Sequence, residues 1–268
     1  MRAGLKDTRS KTQSSGLQNE TRDEASFVGR IPVEKLLIII PAFNEADRIG
    51  KVLDEIRQEA PKIPILVIDD GSRDATVKVA REHGAQVIPL PYNNGYGVAL
   101  QTGFRYAVQQ GITVAVSMDA DGQHDAREIP RLIHEIQKGG VDVVVGSRFL
   151  KTDHYKPSFP RRLGMWMFAL LATICTGRKV TDPTSGFQAL RGRALRLAAS
   201  DLYPPDYPDA DFLILLNKCG ITVREVPVKM RPSPENKSMH YGSKTVYYVF
   251  KMLLSIFVIL VRQKPERF

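Results

Sequence analysis

Thr113-Val-Ala-Val-Ser-Met-Asp-Ala-Asp-Gly-Gln-His-Asp125 is an apolar run that gives way at once to three carboxylates in seven residues. A short apolar run of this length predicts a buried strand over 113–117. The carboxylates then stand at its carboxyl end. Like charges packed this closely repel unless something positive lies between them, so the stretch also predicts a bound cation. Working outward, Leu36 to Ile40 (stopped by Pro41), Ile65 to Ile68, Gln86 to Pro89 and Val141 to Val145 are further short strands. Between them Ile49, Leu53, Ile56 and Ala60 keep helical spacing, and a second helix runs through Val77 and Ala80 to Gly84. Helices over Tyr96 to Gln110 and Arg127 to Lys138 follow, the latter carrying Ile129, Leu132, Ile133 and Ile136. This alternation predicts an α/β fold with a mostly parallel sheet flanked by helices on both faces.

The 268 residues suffice for a sizeable core. Residues 1–30 are rich in Ser, Thr, Gln, Asn and charge and read as a disordered leader with no signal-peptide h-region. The two cysteines, Cys175 and Cys219, make a disulfide framework or zinc site a poor reading and fit a reducing cytosol. Of the formal charge of +9, +7 falls between Lys218 and the end. Such a tail suits nucleic acid, a solvated face or an anionic membrane. Leu163 to Gly177 is uncharged, and Thr245 to Val261 is broken only by Lys251. Both fall short of the roughly 20 residues of a bilayer span, so they read as interfacial or buried. In the second, Val246, Val249, Phe250, Leu253, Phe257 and Leu260 form an apolar stripe, flanked by Lys244, Arg262, Lys264 and Arg267. That pattern predicts an amphipathic C-terminal helix over 243–268 lying on a membrane surface, against the alternative of a helix packed on the protein's own body.

Ligands of open parallel sheets bind at the carboxyl ends of the strands, and the polar clusters fall there. They are Pro41-Ala-Phe-Asn-Glu45, Asp69-Asp-Gly-Ser-Arg-Asp74, Asp119-Ala-Asp121 and Gly146-Ser-Arg148. Each alone is compatible with ordinary loop and cap chemistry; four on one edge point to a site.

In this order, Pro41-x-x-Asn-Glu45, Asp69-Asp-Gly-Ser-x-Asp74, Asp119-x-Asp121-Gly-Gln123 and Gly146-Ser-Arg148 resemble the family 2 glycosyltransferases of GT-A fold. Asp182-Pro-Thr-Ser-Gly-Phe187 and Gly242-Ser-Lys244 narrow the likeness to the polyprenyl-phosphate (dolichyl-phosphate mannose synthase-like) group. The resemblance implies a GT-A catalytic domain over 31–242 and inverting transfer from a nucleotide-sugar donor to a polyprenyl phosphate. It implies Mg2+ or Mn2+ held by Asp119, Asp121 and Gln123 as the cofactor. Pro41, Phe43, Glu45, Ile68, Asp70, Asp119, Ala120, Asp121, Arg148, Arg231 and Lys244 are the implied substrate-binding residues. Asp69 reads instead as structural, since neighbours on a strand face opposite ways. The chain departs from the family pattern in the longer stretch from Pro232 to Tyr241, which bears on Arg231. Asp119, Asp121 and Asp211 are the implied catalytic carboxylates, Asp211 reading equally well as a cap on the helix from Phe212 to Cys219. The implied partners are the donor, the lipid acceptor, the membrane surface and a membrane-protein subunit, and no nucleic acid. The implied place is the cytoplasmic face of a membrane.

A lipid phosphate is already anionic and needs cationic positioning, whereas a hydroxyl acceptor needs a general base. The alternatives are therefore a soluble family 2 enzyme acting on a carbohydrate or protein hydroxyl, and a non-catalytic nucleotide-sugar-binding protein. Asn94-Gly-Tyr-Gly-Val-Ala99 lacks the third glycine of a dinucleotide fingerprint and reads as a helix start near the sugar. His124 reads as a loop residue, and Trp166 as core or membrane-facing.

Overall fold

Seven strands form a single sheet in the order β3-β2-β1-β4-β6-β5-β7 in the computed structural model, which describes residues 31–150, 159–231 and 243–262. The strands are β1 (Leu36–Ala42), β2 (Ile65–Asp69), β3 (Gln86–Pro89), β4 (Val114–Ser117), β5 (Val143–Ser147), β6 (Gln188–Arg191) and β7 (Val223–Pro227). The expected leader, Lys264 and Arg267 lie outside the described residues. All pairings are parallel except those of β6, which runs antiparallel to both β4 and β5.

The continuous apolar run of β1 follows from burial on both faces. Leu36, Ile38 and Ile40 enter the core layer beneath α1 (Ala46–Glu59), α2 (Thr76–Glu82) and α4 (Ile129–Gln137). Leu37 and Ile39 enter the opposite layer, under α3 (Tyr96–Gln109), α6 (Gly192–Ala198) and α7 (Ala210–Lys218). Two long helices complete that second layer. α5 (Phe159–Thr176) and α8 (Ser243–Val261) both pack on α7. α8 gives Met252, Ile256 and Ile259 to the core, and the Lys218 ammonium donates to the carbonyls of Ile259 and Leu260.

The mostly parallel sheet and its two helical layers match the sequence reading, as do the bounds of β3 and the start of α3. The strand expected over 141–145 sits two residues later, because Gly146 and Ser147 go on pairing with Val226 and Pro227. β6 was not anticipated. Gln188-Ala-Leu-Arg191 is four residues with no clear alternation, and its place in the sheet comes from partners about 45 and 75 positions earlier.

Candidate active site

Asp119 leaves β4 at its carboxyl end and is held from three directions. The Tyr96 hydroxyl, at the start of α3, donates to its Oδ1 at 2.7 Å. Its backbone N–H donates to His124 Nδ1 at 3.0 Å, which leaves the proton of the neutral ring on Nε2, 3.7 Å from Asp119 Oδ2. His124 is buried and stacks on Phe187 at 5.0 Å. Gly186 closes the third side. A side chain there would collide with the Tyr96 hydroxyl and crowd Asp119 Oδ1 at 3.1 Å, so the Asp182-Pro-Thr-Ser-Gly-Phe187 loop needs glycine at this point. Asp121 accepts the Gln123 N–H at 2.9 Å, and the Gln123 side-chain amide lies against its other oxygen.

Negative charge is concentrated here. Burial raises the Asp119 carboxyl above the ordinary carboxylate range, and the nearby Asp121 raises it further, against opposing contributions from His124, Tyr96 and Arg148. Burial likewise raises Glu45, with smaller contributions from Asp121 and Asp74. Among the described residues no group of three His, Cys, Asp or Glu suited to a metal ion occurs. The donor set is two carboxylates and an amide, all oxygen-capable, in a place with surplus negative charge. That chemistry fits a hard divalent cation whose other ligands come from phosphate and water.

The loops after β1 and β2 are stitched to each other. Asn44 Oδ1 accepts from the Arg73 N–H, the Asn44 N–H donates to Ser72 Oγ, and the Glu45 N–H donates to Thr76 Oγ1. Asp74 accepts from the N–H groups of Ala46 and Thr76, the first residues of α1 and α2. Phe43 is exposed and Glu45 is partly so, its carboxylate bonded to Arg48 at 2.6 Å. Of the two, Phe43 faces outward, while the Glu45 side chain is only 17% exposed.

Other expected binding residues are placed differently. Ile68 is fully buried beneath Gly103 of α3, and Pro41 and Ala120 are buried as well, so only their backbones remain for a ligand. Both oxygens of Asp70 are taken, by the N–H groups of Asn94 (2.7 Å) and Gly95 (2.9 Å), which anchors the start of α3. Asp70 thus has a structural role as well; Asp69 keeps the one expected of it, its Oδ2 accepting the Ser72 N–H at 3.2 Å, while its buried Oδ1 has no hydrogen-bond partner among the described residues. Arg148 is not a free phosphate ligand. Its guanidinium grips buried Asp182 through Nε (2.7 Å) and Nη2 (2.6 Å) and also bonds Thr184, a two-pronged pairing that planar guanidinium geometry favours. Arg231 joins its N–H to the Gln123 carbonyl at 2.8 Å, but its guanidinium turns to Glu55 at 2.6 Å. Lys244 lies in the first turn of α8, and its side chain lies outside the described residues.

Asp211 is drawn away from the site. Its carboxylate accepts from the Ser255 hydroxyl of α8 and from the N–H of Phe212, so it ties two helices together. Burial raises it to about 7. Asp209, the residue just before the helix, is the carboxylate in the field of Asp119, Asp182 and Arg148. It stands at about 6, raised by burial and by Asp119 and Asp182 and lowered by Tyr248 and Arg148. Sequence reasoning missed Tyr96, His124 and Asp209. Signals for the first two were present in Gly-Tyr-Gly and in the histidine directly after Gln123; Asp-Ala-Asp gave no means of choosing between its two aspartates.

A mostly parallel sheet with paired carboxylates at the end of a central strand, ringed by polar loops at the same edge, defines a glycosyltransferase of GT-A type. The model described as glycosyl transferase family 2 matches residues 37–197, and this chain belongs to that family. It is 31% identical to an uncharacterized protein of Methanocaldococcus jannaschii over 78% of this chain and 86% of that one. It is 33% identical to an undecaprenyl-phosphate mannosyltransferase of Micrococcus luteus over 72% and 82%, and 30% identical to a polyprenol monophosphomannose synthase of Mycolicibacterium smegmatis over 82% and 86%. Among solved structures it shares its fold with glucosyl-3-phosphoglycerate synthase from Mycobacterium tuberculosis in complex with Mn2+ and UDP-glucose. That match has a TM-score of 0.66 at 22% identity and covers 88% of this chain and 83% of that one.

Proposed function

We propose that this chain is a metal-dependent inverting glycosyltransferase that moves a sugar from a nucleotide-sugar donor to a polyprenyl phosphate at a membrane surface. The relatives named as undecaprenyl-phosphate mannosyltransferase and polyprenol monophosphomannose synthase support the acceptor class. The observation that carries the membrane part is an apolar face, uncovered among the described residues, built on the helix that begins at the site. α7 starts beside Asp209 and holds α5 and α8, whose outer sides expose Trp166 (61%), Leu170 and Ile174, and Phe250, Leu253, Phe257 (62%) and Leu260. Phe250, Leu253, Phe257 and Leu260 belong to the stripe expected from the sequence, while Lys251 turns to Asp206 instead. Among the described residues no helix is long and apolar enough to cross a membrane, so this face suits a surface rather than a span.

Asp119, Asp121 and Gln123 would hold Mg2+ or Mn2+, which supplies charge neutralisation on the leaving diphosphate. The chain's own residues do the rest. Tyr96 and His124 fix the Asp119 carboxylate before the donor arrives, which is preorganisation in the sense that matters for rate. Phe43 and Glu45 offer an apolar face and a hydroxyl acceptor to the nucleoside. Arg231 starts from the Gln123 loop and would exchange Glu55 for phosphate oxygens; Lys244 is the second cation assigned to them. The acceptor phosphate is anionic at neutral pH, so no side chain has to remove a proton.

The chain has one tryptophan, Trp166, and it lies on the apolar face. Vesicles containing anionic lipid should shift its emission to the blue, with release as salt rises. Adding a polyprenyl phosphate, Mn2+ and a panel of nucleotide sugars to the same vesicles should give transfer. No emission change at low salt would overturn the surface assignment, and transfer only to a free sugar hydroxyl would overturn the acceptor class.

A further inference from the structure

Three polar side chains of α8, spaced to fall on one face, reach three carboxylates of a single short segment. The Tyr248 hydroxyl donates to Asp209 Oδ2 at 2.5 Å, the Lys251 ammonium to Asp206 at 2.7 Å, and the Ser255 hydroxyl to Asp211 Oδ2 at 2.5 Å. The same segment is tied to the start of α3. The Gly97 N–H donates to the Asp206 carbonyl at 3.0 Å, and the backbones of Pro204 and Pro205 come so close to Gly97 that no Cβ fits between them. The residue before Gly97 is Tyr96, which holds Asp119. Segment 204–211 is thus clamped between α8 and the loop that orients the DxD carboxylate. Tyr248 is well placed to act as a clamp, since its ring meets Tyr207 at 5.1 Å and Phe168 at 5.8 Å, both edge-on. Among the described residues, only the Oδ2 oxygen of the Asp209 carboxylate is hydrogen-bonded, by Tyr248. Its Oδ1 is left to accept from something else, in the field of Asp119 and of the Arg148–Asp182 pair.

We propose that Tyr248 is a positioning residue of the transfer reaction. It fixes Asp209 so that Oδ1 accepts a hydroxyl of the sugar being transferred, and it makes the C-terminal helix part of the sugar pocket. The proposal rests on the glycosyltransferase reading. It assigns sugar recognition to a side chain that no nucleotide contact involves, which separates its consequences from those of the donor's diphosphate end.

The test compares Tyr248→Phe, Asp209→Asn and the double variant in two measurements on the full-length protein. One is calorimetric binding of UDP and GDP with Mn2+; the other is kcat/KM with the nucleotide sugar that the wild type uses best. Diphosphate affinity should stay within about twofold of wild type. Transfer should fall about 10-fold in Tyr248→Phe and about 10²-fold in Asp209→Asn, in line with losing hydrogen bonds that involve a charged group. The double variant should be no worse than Asp209→Asn alone, because one residue acts through the other. Wild-type transfer by Tyr248→Phe, losses that multiply in the double variant, or a matching fall in diphosphate affinity would each overturn the proposal. A wild type that binds UDP or GDP and transfers from no nucleotide sugar overturns the transferase reading itself, and this proposal with it.

Discussion

The two halves of the sheet hold their site carboxylates by different means. On the β2-β1-β4 side the holding is done largely by backbone N–H groups: Asn94 and Gly95 on Asp70, Ala46 and Thr76 on Asp74, Gln123 on Asp121. On the β6-β5-β7 side it is done largely by buried side chains. Arg148 and Thr184 cluster around Asp182, and Tyr248 and Ser255 reach Asp209 and Asp211 from the last helix; Glu225 is the exception, taking the backbone N–H groups of Thr181 and Asp182 as well as the Thr181 hydroxyl. A backbone donor is present whatever residue supplies it, so the first kind of site tolerates change in its surroundings. The second kind fails if a single side chain is lost. Buried charge left without its partner is expensive, whereas a surplus N–H near solvent is not.

The largest expected effect lies on the first side and is purely chemical. Asp119→Asn or Asp121→Asn should lower transfer by about 10²-fold or more, the scale of losing one preorganised electrostatic contact in a site. Stability should hold, since an amide at position 119 relieves repulsion rather than creating it. Turnover with limiting Mn2+ and a thermal melt without metal check the two halves of this statement. Wild-type turnover in either variant would remove the metal role.

Arg148→Ala should sharpen the contrast from the second side. It strands the Asp182 carboxylate, which is 0% exposed, and should cost about 3–5 kcal/mol of unfolding free energy, the usual consequence of breaking a buried pair. Urea unfolding measures it. An Arg148→Ala protein of unchanged stability and a raised donor KM would return Arg148 to phosphate binding.

The smallest effect is in pH. Asp211 is raised by burial to about 7, above the carboxylate value of an unfolded chain, so the folded state holds this proton more tightly. Its stabilising contribution is full below about pH 4 and is lost as pH rises through about 7. Asp209, at about 6, loses its contribution in the same window. Asp211→Asn should therefore flatten the fall in stability between about pH 4 and 7 by about 2–4 kcal/mol. With a lipid phosphate acceptor it should leave turnover within a few-fold of wild type. A loss of about 10²-fold would mark Asp211 as a general base and favour a hydroxyl acceptor.

The contrast also explains what could be read in advance. Pro41 to Glu45, Asp69 to Asp74 and Asp119 to Gln123 are legible because most of their ties are short-range or run to the neighbouring motif. The sheet on that side is legible for the same reason, each strand being a run of apolar residues closed by a polar cluster. Arg148 and Asp182 stand 34 positions apart, and Tyr248 and Asp209 stand 39 apart. Nothing near Arg148 in sequence announces that a carboxylate will occupy it, so it read as a free cation. Asp211 and Asp209 could not be told apart, because the α8 side chains that hold them, Ser255 and Tyr248, lie about 40 positions further along the chain. The exposed stripe on α8 was legible from periodicity alone, and the polar face that grips 206–211 was not, because its partners lie on a different element.

The antiparallel insertion of β6 has a further consequence, for the order in which the protein can be made. β5 pairs only with β6 and β7, and both follow it in the chain. While residues 148–187 leave the ribosome, Val143–Ser147 has two open edges and β4 has one, and all of these residues are buried in the finished sheet. Exposed apolar edges of this kind invite pairing with other chains. Gln188–Arg191, four residues long, covers the β4 edge and one β5 edge in one step, while the second β5 edge waits for Val223–Pro227 of β7. A nascent chain that pauses before residue 191 is therefore at its most vulnerable to aggregation, and the exposure ends only once residues 223–227 have paired with β5.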